Sequence, residues 1–354
     1  MIASVKRLSL KDHLHWRLLF VLMAAYLCVS CNNQNSYIDI TGPAMGSTYT
    51  IRLVPQRGVR IETQEVKTSV DSLLEVINQQ MSTYVDNSEI SLFNKLSKNS
   101  AIVISDNFRT VIQRASYWSN LTNGAFDISS FPLVNTWRLG KLDRENKDVW
   151  IPPTDLEVTV AKSNIGYKKI KLVSTSLIKS FDEQKLDVNA IAKGWGVDRL
   201  FIYIQSLGYK NFMVEIGGEV RVSGSNNRGA DWRIGIDSPE PNFQPGEKIF
   251  AVIPIKDKAM ATSGNYRDFY EYDSKKYSHI INPITGKAVE SNIASVTVLA
   301  ANCMDADALA TALNIMSLSD GMKLVEGLDD IDALWVISKD GKLESVKSSK
   351  MRLD

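Results

Sequence analysis

The sequence is poor in histidine and cysteine, the side chains that most often build zinc sites and carry nucleophilic chemistry. Its 354 residues contain three of each. Two of the histidines stand at positions 13 and 15, which leaves His279 as the only histidine beyond the first 30 residues. A zinc site built on two or three histidines is therefore excluded there, and any histidine catalysis must use His279.

The sequence also lacks an excess of charge of one sign. Its formal net charge is +1, from 41 basic and 40 acidic residues. A nucleic-acid-binding protein usually carries a basic face or stripe, so we expect no nucleic-acid partner. No Gly-x-Gly-x-x-Gly motif follows a predicted strand, which argues against an NAD(P)-linked oxidoreductase.

The N-terminus has an apolar run that is too short to span a bilayer comfortably. The run covers residues 18–29, whereas a spanning helix needs about 20 residues. Basic residues precede it and Ser30-Cys31-Asn32 follows it, which resembles a bacterial lipobox. We expect a signal peptide at 1–30, a lipid on Cys31, a polar tether over 31–37, and a location on the periplasmic face of a bacterial membrane. An uncleaved anchor and a plain secretory signal are the alternatives.

The order of the predicted elements indicates an α+β fold. Apolar residues recur at helical spacing over 63–80, 106–121 and 193–207, and strand patterns follow at 212–216, 219–222, 232–236, 250–255 and 295–300. A helix over 305–317, a short one over 321–326 and a hairpin of 334–338 with 343–346 complete the pattern. Helices before strands favour α+β over a regular βαβ array. We expect one unit, or two tightly packed lobes, over 38–350, with Cys303 in the core rather than acting as a nucleophile.

One pair of residues on a predicted helix supplies candidate metal ligands. Asp307 and Thr311 are four residues apart, so they project from the same helical face. A carboxylate and a hydroxyl are hard oxygen ligands, which suit magnesium. The alternative is that Asp305 caps the helix and Asp307 is an exposed acid of the first turn.

Other segments carry side chains suited to a ligand. Small residues around Lys193 would let the backbone approach a phosphate or a metal, unless the segment is a plain loop before a helix. Asp127 could accept hydrogen bonds from a ligand or bond its own turn. His279 is either a structural histidine or a proton acceptor near the metal. Met45 and Tyr84 are candidates for stacking on a flat ring, with core packing as the alternative.

Eight short motifs occur together and in one order. They are Pro43-Ala44-Met45-Gly46, Met81-Ser82-Thr83-Tyr84, Gly124-Ala125-Phe126-Asp127, Leu186-Asp187 through Ala192-Lys193-Gly194, Ile216-Gly217-Gly218-Glu219, Ala261-Thr262-Ser263-Gly264, the Tyr277–Gly286 segment around His279, and Ala306-Asp307-Ala308 with Thr311. This series closely resembles the ApbE family of FAD:protein FMN transferases, over about residues 38–345.

The resemblance implies an activity, a fold and partners. Members of the family bind FAD with Mg²⁺, transfer FMN to a threonine hydroxyl of a partner protein through a phosphoester bond, and release AMP. Their periplasmic acceptors typically belong to Nqr- and Rnf-type membrane redox complexes. The implied fold is an ApbE-like, tunnelling-fold-related α+β arrangement with FAD in a cleft between sheet and helices.

The resemblance also implies site residues. The set that would contact FAD is Met45, Tyr84, Ala125, Phe126, Asp127, Asp187, Lys193, His279, Ile280 and Ile281. Magnesium would be held by the side chains of Asp307 and Thr311 and the carbonyl of Ala190. We hypothesise that His279 accepts the threonine proton or steadies the phosphate. The chain departs from the family at Asn282, where an Asp is frequent, and at Asn189-Ala190, where paired glycines are frequent.

Two other functions share these features. The same metal site would serve a magnesium-dependent FAD pyrophosphatase, which splits FAD into FMN and AMP with water as the acceptor. A flavin-binding lipoprotein without catalysis would bind FAD and release no AMP. The sequence does not separate these alternatives from the transferase.

Overall fold

The structure is a computed structural model, and it describes residues 37–354 apart from 57, 59–61, 140, 143–149, 241–242, 245 and 265–268. The predicted signal peptide, the lipidation site Cys31 and the tether up to residue 36 lie outside the described residues. In the part of the chain that the structure describes, no helix combines the length and the apolar character needed to cross a membrane.

The described residues form both strands and helices, which confirms the α+β prediction. The strands are β1 (Ile38–Ala44), β2 (Ser47–Leu53), β3 (Ala101–Val103), β4 (Lys141–Leu142), β5 (Trp150–Ile151), β6 (Lys171–Val173), β7 (Ser176–Ile178), β8 (Phe212–Ile216), β9 (Glu219–Ser223), β10 (Trp232–Asp237), β11 (Ile249–Ile255), β12 (Ala259–Gly264), β13 (Phe269–Tyr272), β14 (Lys275–Ser278), β15 (Ile293–Ala300), β16 (Asp332–Lys339) and β17 (Lys342–Lys347). The α-helices are α1 (Thr63–Met81), α2 (Glu89–Lys95), α3 (Asp106–Leu121), α4 (Phe131–Leu139), α5 (Asp155–Ser163), α6 (Asn189–Ser206), α7 (Cys303–Ile315) and α8 (Leu318–Glu326).

One antiparallel sheet of eight strands organises the fold, in the order β1-β2-β8-β9-β12-β15-β16-β17. Alternate side chains of a strand point to opposite faces of a sheet. Consecutive residues of β12 and of β15 are buried, so both faces of these strands are covered. Val296 and Val298 of β15 pack with α6 and α7, whereas Leu299 packs with β10 and β11 on the other face. The sheet is therefore covered by helices on one side and by the β10–β11 hairpin on the other.

Two tight turns lie side by side at the same end of four neighbouring strands of this sheet. Met45 and Gly46 join β1 to β2, and Gly217 and Gly218 join β8 to β9, all four with positive φ. The Gly217 N–H donates to the carbonyl of Thr48 at 3.1 Å, which ties the second turn to the first. Helix α6 begins beside both turns.

The observed helix starts confirm one prediction and correct two. Helix α3 begins at Asp106 as predicted, and Ser105 caps it, because its side chain accepts the Phe108 N–H. Helix α6 begins at Asn189, four residues before the predicted start. Helix α7 begins at Cys303, because the Asn302 side chain accepts the Asp305 N–H and acts as the cap in place of Asp305. Cys303 is fully buried, as predicted.

Candidate active site

A cavity of about 290 Å³ collects most of the predicted site residues. Helices α4, α6 and α7, the end of β12 and the segment around residue 280 enclose it. The predicted residues on its wall are Ala125, Phe126, Asp127, Asp187, Ala190, His279, Ile280, Ile281 and Thr311. Residues up to 186 positions apart in the sequence therefore meet in one place, as the ligand interpretation requires.

A second cavity of about 380 Å³ contains the other two predicted ring contacts, Met45 and Tyr84. Asn189, at the start of α6, lines both cavities. Met45 sits in the β1–β2 turn and is half-buried against α6, but the side chain of Tyr84 is 78% exposed. The two cavities therefore adjoin at Asn189, and Tyr84 is the exposed residue among the predicted contacts.

Asp307 and Lys193 line neither cavity. Asp307 is only 6% exposed, and its Oδ2 accepts the Gly194 N–H at 2.9 Å. Lys193 points to the β8–β9 turn, where its Nζ lies 2.7 Å from Oε1 of Glu219. The prediction that Asp307 is an exposed first-turn acid, one of the two alternatives, is wrong, because α7 packs this residue against α6.

The close approach of α6 and α7 depends on Gly194. A Cβ placed on this residue would lie 2.8 Å from the Cβ of Asp307 and would also clash with the carbonyl group of Cys303. Glycine lets two backbones approach where any side chain would separate them. The structure thus uses Gly194 to bring Asp307 to α6.

Burial has the largest effect on the pKa values of the carboxyl groups at this contact. The pKa of Glu219 is raised to about 8, first by burial and then by the nearby Asp307 carboxylate, and Lys193 opposes the shift. Burial also raises the pKa of Asp307, against the effects of Lys193 and of the Gly194 N–H. Oε2 of Glu219 is buried and makes no hydrogen bond within the described residues. Two carboxyl groups and one ammonium group therefore meet in a largely buried contact between α6, α7 and β9.

Asp127 and Asp187 both bond their own turns. Asp127 accepts hydrogen bonds from the Ser129 N–H at 2.8 Å and from the Tyr167 N–H at 3.0 Å. Asp187 accepts the Asn189 N–H at 2.8 Å. Burial raises the pKa of both carboxyl groups. The turn-bonding alternative for Asp127 is confirmed, and both residues also shape the cavity wall.

The oxygen atoms of the Ala190 carbonyl, the Asp307 carboxylate and the Thr311 hydroxyl suit a hard cation. The Gly194 N–H, which a regular helix directs toward the carbonyl of Ala190 four residues earlier, donates to Asp307. A carbonyl has two lone pairs, so the Ala190 oxygen has acceptor capacity to spare. Within the described ranges no group of three or more His, Cys, Asp and Glu side chains could hold a metal ion. A carboxylate, a hydroxyl and a carbonyl are instead the oxygen donors that Mg²⁺ prefers, completed by waters and substrate phosphates.

Several residues of the site were not among the predicted ligand contacts. Arg138 and Val134 reach the first cavity from α4, a helix that the sequence analysis did not predict. Asn189 and Ser263 complete the wall from α6 and β12. Glu219 was part of a recognised motif, but its pairing with Lys193 depends on the tertiary contact between α6 and β9.

The ApbE family model matches residues 45–335. The FAD:protein FMN transferase of Vibrio cholerae is 37% identical over 334 residues, 94% of this chain and 97% of that protein. The Haemophilus influenzae FAD:protein FMN transferase is 33% identical over 312 residues, covering 86% of this chain and 88% of the relative. The chain belongs to the ApbE family.

Solved ApbE structures share the fold. The flavin transferase ApbE of Vibrio cholerae superimposes with a TM-score of 0.78 at 38% identity, over 89% of this chain and 97% of that one. The apo form of the Pseudomonas stutzeri flavinyl transferase ApbE gives a TM-score of 0.77 at 30% identity, over 89% and 95%. The ApbE match begins at Met45 and extends past Thr311, so it contains both cavities and every predicted site residue except Cys31.

Proposed function

We propose that the protein transfers FMN from FAD to a threonine hydroxyl of a partner protein and releases AMP. The threonine oxygen attacks the FMN phosphorus, the bond from that phosphorus to the bridging oxygen breaks, and AMP leaves with this oxygen. Membership of the ApbE family, whose relatives from two organisms are named FAD:protein FMN transferases, carries the proposal. The convergence of nine predicted residues on one cavity supports it.

The chain's own residues suggest how FAD is held. The second cavity, with Met45 and Tyr84, presents apolar and aromatic surface for a flat ring. The first cavity presents the start of α6, where the positive end of the helix dipole favours an anion such as a phosphate. Asn189 lies at the junction of the two. We therefore propose that one FAD molecule occupies both cavities.

Asp307, Thr311 and the Ala190 carbonyl would hold Mg²⁺ beside this phosphate position. The ion would offset the negative charge that develops on the pyrophosphate oxygens. Lys193 adds a second positive charge close to Asp307. These residues bind and orient the leaving group, so no strong nucleophile of the chain's own is required.

His279 is the proposed acceptor of the threonine proton. It lines the same cavity as Ala190 and Thr311. A neutral imidazole can take a proton near physiological pH. The proton would move from the threonine oxygen to a ring nitrogen as the new phosphoester bond forms.

The acceptor and the location are further parts of the proposal. An exported lipoprotein with Cys31 acylated would meet acceptors of the Nqr and Rnf type at the periplasmic face of the membrane. Labelled palmitate fed to cells should then be incorporated into the wild-type protein and not into Cys31→Ala. An unlabelled wild-type protein would contradict lipid anchoring.

The test is AMP release from FAD and MgCl₂ by the full-length protein in detergent, with and without an Nqr- or Rnf-type acceptor domain. The acceptor is then examined for flavin fluorescence in a denaturing gel. AMP release together with a fluorescent acceptor is expected. AMP release with a dark acceptor would indicate a pyrophosphatase or an acceptor that is not the protein's partner, and binding of FAD without AMP would indicate a flavin-binding protein.

A further inference from the structure

Helices α6 and α7 face each other through two stripes of residues at four-residue spacing. The stripes are Ala190, Gly194 and Asp198 on α6, and Cys303, Asp307 and Thr311 on α7. Residues four apart share one helical face. Both helices therefore present a single row of three positions to their neighbour.

The contacts join the rows in antiparallel order. Asp198 accepts the Cys303 N–H at 2.9 Å, and Asp307 accepts the Gly194 N–H at 2.9 Å. At the third position Ala190 and Thr311 lie on the wall of the same cavity. We name these three pairings the α6–α7 ladder. Two of these pairings contain the proposed magnesium ligands, and the third, between Asp198 and Cys303, contains none.

Asp198 fixes the beginning of α7. Its Oδ1 accepts the Cys303 N–H and its Oδ2 accepts the Met304 N–H, both at 2.9 Å, and the residue is only 4% exposed. The first N–H groups of a helix have no partner within the helix. The next two, of Asp305 and Ala306, bond to the side chain and the carbonyl of Asn302. Asp198 thus supplies half of the acceptors for the start of this helix.

Arg221 connects this anchor to the central sheet. Its Nη1 lies 2.7 Å from Oδ1 of Asp198, and its guanidinium carbon stands 4.1 Å from the centre of the Phe201 ring. Arg221 belongs to β9, the strand that also carries Glu219. The Asp198 carboxylate is therefore held from three elements, α6, α7 and β9.

We propose that Asp198 is a positioning residue for the magnesium site. It sets where α7 starts along α6, and so it places Asp307 and Thr311 opposite the Ala190 carbonyl. A slide of one residue moves a helix by about 1.5 Å, whereas Mg²⁺ requires oxygen ligands close to about 2.0–2.1 Å in near-ideal octahedral geometry. The inference rests on the proposed function, because it takes these three residues as the ligands.

The test compares two variants at the same end of α7. Asp198→Asn keeps the shape of the side chain but offers one acceptor oxygen to two N–H groups, so one of them loses its partner. Asp305→Asn is the matched control: Asp305 is also buried, but it bonds Arg114 and Trp118 of α3 and not α6. MgCl₂ is titrated into the full-length protein at saturating FAD, and flavin fluorescence gives the Mg²⁺ midpoint. Thermal unfolding in EDTA reports the structural cost separately.

We expect Asp198→Asn to raise the Mg²⁺ midpoint at least ten-fold, and Asp305→Asn to raise it less than three-fold even though both lower the unfolding temperature. An unchanged midpoint for folded Asp198→Asn, or an equal shift in both variants, would overturn the inference. Should Asp198→Asn not fold, Arg221→Gln leaves the Asp198 carboxylate in place and is expected to raise the midpoint about three-fold. A wild-type protein whose fluorescence does not respond to MgCl₂ would instead remove the proposed metal site itself.

Discussion

The two ends of the site differ in how firmly the fold holds their binding groups in place before a ligand arrives. The buried end comprises the first cavity and the cluster of Asp307, Lys193 and Glu219, in which Lys193 pairs with Glu219 and Asp307 accepts the Gly194 N–H. The open end comprises Met45 and Tyr84, and Tyr84 is 78% exposed where Asp307 is 6% exposed. The groups that would bind the pyrophosphate are thus positioned before the substrate arrives, whereas the ring contacts await it.

Substitutions at the two ends should therefore have different effects. A change at the buried end disturbs helix packing or the reacting groups, so we expect losses of turnover or of stability. A change at the open end removes contact with the substrate alone, so we expect a higher KM for FAD and an unchanged fold. The predictions below test that division.

Replacing His279 by Ala should have the largest effect. General acid–base catalysis contributes typically about 10²–10⁴-fold, so we expect kcat to fall by that factor with a much smaller change in the KM for FAD. Ile284→Ala is the control, because Ile284 is 51% exposed and does not line the first cavity. Initial rates of acceptor flavinylation measure the effect, and near-normal turnover of His279→Ala would refute the proposed role.

Glu219 should make the stability of the buried end dependent on pH. Its pKa is about 8 in the folded protein against an ordinary value of 4.5. Between these values the folded state holds a proton that the unfolded state releases, so this group's contribution to stability falls as pH rises. Glu219→Gln cannot titrate, and it should lose less stability than the wild type between pH 5 and about 8.

Urea unfolding in EDTA across this pH range measures the difference. Glu344→Gln is the control, because Glu344 is exposed on β17 and its curve should run parallel to the wild type. Parallel curves for Glu219→Gln as well would show that Glu219 is ionised throughout, contrary to the expectation.

Replacing Gly194 by Ala should force α6 and α7 apart. The new methyl group would meet the backbone of Cys303 and the Cβ of Asp307, which cannot move independently of α7. Overpacking of this kind costs about 1–3 kcal/mol of unfolding free energy, and we expect the Mg²⁺ midpoint to rise as well. Gly327→Ala is the control, since its nearest non-bonded contacts are at 3.5 Å. Equal stability of the two variants would contradict the close-packing argument.

The sequence predicted the buried end in part. The spacing of Asp307 and Thr311 on one helical face is a local property that made them candidates, and the family resemblance selected them. Of their partner row on α6 the resemblance implied only Ala190, because nothing local specifies which residue of one helix meets which residue of another 113 positions away. For the same reason, the small residue Gly194 was expected to face a phosphate or a metal, and instead it faces α7.

The boundaries of helices were predicted most accurately where the local sequence signal was strongest. Helix α1 has a clean apolar stripe, and it ends one residue from the predicted position. The start of α6 was misplaced because Val188 precedes it and makes no side-chain cap. Helix α4 was missed because Pro132 and two aromatic residues obscure a nine-residue helix, although proline is tolerated in a first turn. Val134 and Arg138, which α4 contributes to the cavity wall, were therefore not among the predicted site residues.

Replacing Tyr84 by Ala should have the smallest effect, and it tests the open end directly. A stacked aromatic contact contributes about 1–3 kcal/mol, and the lower value corresponds to roughly a five-fold rise in the KM for FAD. Because the side chain is 78% exposed, we expect the unfolding free energy to stay within about 0.5 kcal/mol of the wild type. Tyr84→Phe keeps the ring and should bind FAD normally. A loss of stability in Tyr84→Ala, or a fall in kcat without a change in KM, would mean that the open end is as preformed as the buried end.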